Sequence, residues 1–270
     1  MKNLNLYAYT GGKSFDLKQP TVVFIHGAQN DHSVWALQSR WFAYHGYNVL
    51  AFDRAGHGRS VGEPAPSVEV MAEQLWIALT DRGVVKAHLI GHSLGSLVAL
   101  HMAGSAPERA LSLALLGTAY PMTVSDTLLE ATQNDPMAAL HRINVWSHSN
   151  AFGGFSHKPQ VMGPGSVSMW SNLRLMQRIA TKNGPRVLHT DFFACNVYTK
   201  GDIAIKALRC STLVMNGMED SMTPPKSAQA LAAKIAVAKL ILLPKCGHLL
   251  MAEQPDTVLK VLATHVGTAT

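Results

Sequence analysis

The segment Gly91-His92-Ser93-Leu94-Gly95 holds residue types and spacing that could do chemistry. The apolar pair Leu89-Ile90 leads into it, and small and apolar residues at helical spacing (Ser96, Leu97, Val98, Ala99) follow. The pattern predicts a strand that turns sharply into a helix with a serine at the turn, a nucleophile elbow. A serine there sits in strained backbone and tolerates nothing bulky beside it; Gly91 and Gly95 leave that room. The helix that starts at the serine would aim free N–H groups and the positive end of its dipole at the reacting centre. A hydroxyl alone is a poor nucleophile. Acyl transfer therefore needs a base to take the serine proton, an acid to orient the base, and N–H donors for the oxyanion.

In an open parallel sheet such residues collect where strands end, so the search is confined to the ends of apolar runs. Leu213-Val214-Met215 runs into Asn216-Gly217-Met218-Glu219-Asp220, with Thr223-Pro224 just beyond. Leu240 to Leu243 runs into Pro244-Lys245-Cys246-Gly247-His248. Val22 to Ile25 ends at His26-Gly27-Ala28, where a loop can present an N–H toward the nucleophile. Ser93, Asp220 and His248 thus each lie just past a strand. Glu219, beside Asp220, and Asp126, past an earlier strand, are rival acids. The chain has 13 histidines, and His26, His57 and His92 also sit at or near strand ends, but His248 alone follows the last strand. His26 reads as a loop-shaping residue, Arg54, His57 and Arg59 as fixing the loop after their strand, and Cys246 as a small packing residue.

The elements that must position these residues follow from periodicity. Leu4 to Tyr9 alternates as a half-buried strand; Thr21–Ile25, Tyr47–Phe52, Ala87–Ile90, Leu111–Leu116, Ser211–Asn216 and Leu240–Leu243 read as further strands, mostly buried on both faces. Helices are expected from Ser33, with Val34, Leu37 and Trp41 on one side, and from a Ser67 cap to about Asp81. Others are expected over 93–105, over Pro225–Ile235 and from Pro255 to Val266. Strands alternating with helices make a parallel α/β sheet. The rhythm breaks over 120–208, where helices are expected at Ser125–Gln133, Met137–His148, Ser168–Thr181 and Pro185–Tyr198, punctuated by Gly153-Gly154 and Gly163-Pro164-Gly165. The division is a core of residues 1–119 and 209–270 with a helical insertion over 120–208.

With His26-Gly27, Asp53-Arg54-Ala55-Gly56-His57-Gly58-Arg59-Ser60, Gly91-His92-Ser93-Leu94-Gly95, Gly217-Met218-Glu219-Asp220 with Pro224, and Gly247-His248, the chain resembles the α/β-hydrolase fold superfamily over nearly its whole length. The resemblance implies a doubly wound, mostly parallel sheet of about eight strands, with the 120–208 insertion as a helical cap over its C-terminal edge. The N-terminal region is short for the first hairpin of that fold. The resemblance makes Ser93 the nucleophile, His248 the general base and then acid, and Asp220 the orienting carboxylate. The backbone N–H groups of Ala28 and Leu94 would be the oxyanion donors. A serine at the elbow argues against relatives that carry aspartate there, the haloalkane dehalogenases and epoxide hydrolases. Lactonases, C–C bond hydrolases, thioesterases, perhydrolase-type haloperoxidases and hydroxynitrile lyases remain open.

The expected function is a carboxylic ester hydrolase for small to medium uncharged substrates, with a lactonase or C–C hydrolase as the alternative on the same residues. A receptor-like binding protein and a membrane-surface lipase are readings of other classes. Such serine chemistry needs no cofactor and no metal, and no His/Cys/Asp set shows ligand spacing. The cap residues Met122, Met137, Trp146, Phe152, Phe155, Met162, Met169, Trp170, Met176, Phe192 and Phe193 pack its helices and line an apolar cleft that sets substrate choice.

Composition agrees with this reading. The 270 residues are 47% hydrophobic and 15% charged, enough for a large core. The net charge of +6 comes from scattered lysines and arginines with no run of three, so no nucleic-acid stripe is present. Three cysteines argue against a disulfide framework and fit a reducing compartment. The N-terminus lacks a signal-peptide core and no apolar stretch reaches the ~20 residues of a membrane span, so the expected location is cytoplasmic, with no stable membrane association.

Overall fold

A computed structural model describes residues 5–149 and 168–269. Its centre is a seven-stranded sheet in the order β1-β3-β2-β4-β5-β6-β7. The strands are β1 (Ala8–Tyr9), β2 (Thr21–Ile25), β3 (Asn48–Phe52), β4 (Ala87–His92), β5 (Ala110–Leu116), β6 (Ser211–Gly217) and β7 (Ala238–Leu243). Only β1 is antiparallel to its neighbour; every other pairing is parallel. Among the described residues the sheet has seven strands against the expected eight or so, and the two-residue β1 forms the edge beside β3.

Residues of β2, β3 and β4 are buried throughout, as continuous β-branched and aromatic runs require when helices cover both faces. The pleat sends alternate side chains to opposite sides. Val23, Ile25, Leu50, Phe52, Leu89, Leu113, Leu115 and Val214 face a layer that includes α2 (Val68–Thr80), α3 (Leu94–Ser105), α8 (Gly201–Ala207) and α9 (Pro225–Lys234). Val22, Phe24, Val49, Ala51, Ile90, Ala114, Leu116, Leu213 and Met215 face α1 (Ala36–Tyr44), α10 (Leu250–Glu253) and α11 (Pro255–Gly267). Ser67 caps α2 as expected, accepting from Val70 N–H. The first helix is phased differently from the expectation. A 3-10 turn over His32–Trp35 precedes it, so Trp35, Gln38, Ser39 and Phe42 are buried while Leu37 points outward.

Between β5 and β6 run α4 (Asp126–Asn134), α5 (Pro136–Trp146), α6 (Ser168–Asn183), α7 (Arg186–Val197) and α8. Leu128, Ala139, Leu140, Ile143, Leu173, Met176, Leu188 and Phe192 form a core of their own there. The last helix of this stretch behaves otherwise: α8 packs on α3, with Ala204 against Gly104, where a Cβ would come within 2.6 Å of the alanine methyl. Helix α7 bridges the two regions, Leu188 and Phe192 on one side, Ala194 and Cys195 on the other.

Strand β2 is followed by β3 on one side of it, while β4 lies on the other. Between β2 and β4 the strand order therefore reverses, and a crevice opens at their C-terminal ends.

Candidate active site

Ser93 stands at the end of β4, in that crevice. Its φ of 54° is in the left-handed region, which non-glycine residues seldom occupy and which marks a strained site. Both flanking glycines are required by contact. A Cβ on Gly91 would strike the Gly95 carbonyl, and one on Gly95 would strike the carbonyls of Ile25 and His26. The Ser93 amide still donates to Leu116 O of β5 at 2.9 Å, so the turn is anchored to the sheet. Leu94 opens α3, and its N–H is one of the donors a helix leaves free at its first turn.

Two loops converge on this serine from β6 and β7. They are tied to each other: Met218 N–H donates to Leu243 O at 2.8 Å and Glu219 N–H to Cys246 O at 2.9 Å. A side chain on Gly217 would collide with the Cys246 and Gly247 carbonyls, so the approach needs glycine there. Asp220 and His248 meet, with His248 Nδ1 2.8 Å from Asp220 Oδ2. Neither Glu219 nor Asp126 hydrogen-bonds to the ring among the described residues, and Asp126 is exposed on the first turn of α4.

Asp220 is buried and accepts from Met222 N–H (2.9 Å), Thr223 N–H (2.8 Å) and Thr223 Oγ1 (2.7 Å). Burial alone would raise its pKa. The His248 charge and hydrogen bond, with the two hydrogen bonds from Thr223, outweigh burial and hold the carboxyl below its ordinary value. An ionised Asp220 accepts the Nδ1 proton and leaves the Nε2 lone pair of His248 free, the tautomer a general base needs. Asn216 braces the loop by donating to Thr223 O at 2.7 Å, and its Oδ1 accepts Thr118 N–H at 2.8 Å.

The histidine is also held from its backbone. His92, the residue before the serine, donates Nε2–H to His248 O at 2.8 Å. Burial, then the His248 charge, push the His92 pKa down to about 3, so this ring stays neutral. Ser147 O, at the end of α5, accepts both His248 N–H (3.0 Å) and Leu249 N–H (3.1 Å). Glu253 accepts Gly247 N–H at 3.0 Å.

Ser93 and His248 line one small cavity of about 30 Å³ together with Gly27, Ala28, Asn30 and His92. Its apolar wall is Ile143, Met176, Phe192, Met222 and Leu249. No Ser93–His248 hydrogen bond forms among the described residues; such contacts often tighten only with substrate bound. A larger groove of about 1080 Å³ lies alongside and shares Asn172 and Leu249 with the cavity.

Of the aromatic and methionine residues expected at the cleft, Met176 and Phe192 are there and Met137 lines the groove. Met122 is buried in the main core, while Trp146, Trp170 and Phe193 are exposed. Phe152, Phe155 and Met162, with the two glycine breaks, lie outside the described residues. Cys246 is fully buried in the core beneath α11. The loop after β3 is tied at Arg59 through its backbone N–H, which donates to Asp53 Oδ2 at 2.8 Å, while the Arg59 side chain donates to the Tyr7 hydroxyl at 2.9 Å. Among the described residues one set of possible metal ligands, Asp31, His32 and Asp53, has ligand atoms within 4.8 Å of one another. All four carboxylate oxygens already have protein partners: His32, Arg59, Ser33 and Arg178.

The model of the alpha/beta hydrolase family matches residues 22–261, a span that includes all these loops. The chain belongs to this family. Among the relatives of this chain, Protein ABHD8 of Bos taurus is 27% identical over 249 residues, covering 87% of this chain and 53% of that protein. The chain thus spans about half the length of that relative. The non-heme chloroperoxidase of Streptomyces lividans is 31% identical over 230 residues, 78% of this chain and 80% of that one. Among solved structures, the enol-lactonase from Burkholderia xenovorans LB400 matches with a TM-score of 0.81 at 18% identity, covering 97% of this chain and 96% of the other. No helix of the described residues is long and apolar enough to cross a membrane.

Proposed function

We propose that this alpha/beta hydrolase cleaves carboxylic esters of small to medium uncharged substrates through an acyl-enzyme. The observation that carries the reading is the 2.8 Å Asp220–His248 pair, whose imidazole lines the cavity that also holds the strained Ser93. In this reading Ser93 Oγ attacks the ester carbonyl carbon as His248 Nε2 takes its proton, and Asp220 stays ionised and steadies the imidazolium. The carbonyl oxygen becomes an oxyanion that accepts the N–H groups of Ala28 and Leu94, each worth about 2.7–4 kcal/mol in such sites. Collapse expels the alcohol, protonated by His248. Water then repeats the sequence on the acyl-serine and returns Ser93.

The substrate class rests on the wall. Ile143, Met176, Phe192, Met222 and Leu249 offer an acyl group apolar contact and no charge. The cavity favours short acyl chains, and methionine side chains can shift to admit longer ones. The 120–208 insertion is read as the cap, since its helices α4 to α7 share a separate core and it supplies Ile143, Ser147, Asn172, Met176 and Phe192 to the wall.

The test is hydrolysis of p-nitrophenyl acetate, butyrate and octanoate by the protein and by Ser93→Ala. Turnover should fall from acetate to octanoate, and Ser93→Ala should lose about 10⁴-fold or more. If the folded protein hydrolyses none of the three, the ester reading is wrong. The enol-lactonase neighbour puts lactones second, so a γ-lactone and an acyl-homoserine lactone belong in the same screen. Turnover of these alone would keep the site and change the substrate.

A further inference from the structure

Asp191 lies on α7, outside the cavity wall, and is fully buried. Its Oδ1 accepts Arg54 Nη1–H at 3.0 Å, and its Oδ2 accepts Arg54 Nη2–H at 2.9 Å, an in-plane fork. Oδ2 also takes the Gln29 backbone N–H at 2.9 Å and lies 2.8 Å from His57 Nε2. Burying such a charge cluster is neutral or costly against apolar packing, so stability does not account for it. Its contacts point instead to the loop after β2. Arg54 Nη2 donates to Gly27 O at 3.1 Å, and His26 Nδ1 lies 2.8 Å from the same oxygen. Gly27 C=O and Ala28 N–H belong to one planar trans peptide and point in opposite directions. Whatever fixes that carbonyl therefore fixes the direction of the Ala28 N–H.

From the other side, Gln29 has a φ of 53°, a conformation non-glycine residues keep only when held. It is held by its N–H on Asp191 and by Nε2–H donating to Met176 O of α6 at 3.0 Å. One carboxylate thus grips both flanks of the Ala28 peptide: the Gly27 carbonyl through Arg54, and the Gln29 amide directly. We propose that Asp191 is a positioning residue for the oxyanion donor, holding the Ala28 N–H toward the carbonyl oxygen that becomes charged during attack by Ser93. This rests on the hydrolase reading above, in which Ala28 is that donor.

The experiment compares Asp191→Asn with the double variant Arg54→Met/Asp191→Leu. The first leaves Arg54 buried without its counter-charge and can fold poorly; the second removes both charges and is expected to restore stability. With p-nitrophenyl acetate, kcat should fall about 30- to 300-fold in every folded variant, approaching the roughly 100- to 1000-fold cost of losing one oxyanion donor outright, while KM stays within about 3-fold. Affinity for phenylboronic acid, whose serine adduct is tetrahedral, should fall in parallel, while inhibition by acetate should not change. In Asp191→Asn, hydrogen exchange should also rise in the peptide covering residues 26–31 relative to β5. A double variant with native stability and unchanged kcat would overturn the proposal, as would a matching loss of boronate and acetate binding. If the native protein hydrolyses no ester, the hydrolase reading fails on its own. The positioning claim is then decided by exchange alone, and an unchanged 26–31 peptide rejects it.

Discussion

At the scale of single residues the site is a set of polar groups whose directions are fixed before any substrate arrives. Asp220 shows this best: three donors from residues 222 and 223 and the Asn216 amide at 3.4 Å surround its carboxylate, together with the ring it would orient. Asp220→Asn conserves shape but places an NH2 group against His248 Nδ1 or Thr223. The ring is then driven toward the other tautomer, with its proton on Nε2, where it cannot take one from Ser93. The expected result is a fall in kcat of about 10⁴-fold on p-nitrophenyl acetate, as a wrong tautomer produces in serine proteases. The variant should still fold, which circular dichroism would check; a loss below about 10-fold would remove Asp220 from the reaction. Ser93, Asp220 and His248 were legible in the sequence because each follows an apolar run that must end at the same sheet edge. Asp191 was not. Its partners Gln29 and Arg54 are 162 and 137 positions away, and no motif or periodicity in α7 points to them.

At the scale of elements, strands were legible and some helix faces were not, for a physical reason. A strand buried on both sides needs an unbroken apolar run, which composition displays directly. A helix displays only a phase, and the 3-10 turn before α1 rotates that phase enough to turn Leu37 outward. Helices α8 and α10, of seven and four residues, are too short to show a period at all. The seam between sheet and inserted helices was also hidden, although it governs the site: the end of α5 presents Ser147 O to His248 and Leu249. Loosening α5 should therefore damage the site before it damages the sheet. Leu140 is fully buried in the separate core shared by α4 to α7, and Leu140→Ala should destabilise that core by about 2–5 kcal/mol. The proposed hydrolysis of p-nitrophenyl acetate should then disappear at a lower temperature than the loss of far-ultraviolet dichroism, with the two curves coinciding in the unsubstituted protein. Coincident curves in the variant would mean that the helices and the sheet melt as one unit.

At the scale of the whole molecule, the buried histidines couple the fold to pH. His88 is fully buried on β4, its Nδ1 2.9 Å from Ser112 Oγ and its Nε2 without a hydrogen-bond partner among the described residues. Burial, with the His265 charge, lowers its pKa to about 4, and His92 is lowered to about 3. His26, His101 and His265 move the same way, burial being the first cause in each. All of these bind protons less readily in the folded chain than in the unfolded one, where the ordinary histidine value near 6.5 applies. Above that value neither state is protonated and they contribute no slope. As pH falls below about 6.5 the unfolded chain takes up protons that the folded chain refuses, and stability is lost progressively down to the folded values. Urea unfolding should thus give a flat midpoint from about pH 8 to 7 and a steep decline between about pH 6.5 and 4. The loss should reach several kcal/mol, because each tenfold weakening of proton binding on folding is worth about 1.4 kcal/mol. His88→Gln can still hydrogen-bond Ser112 but cannot titrate, so its decline over this interval should be shallower. An equal slope in His88→Gln and the unsubstituted protein would show that His88 takes up its proton without unfolding, which would require a route for water into the space beside β4.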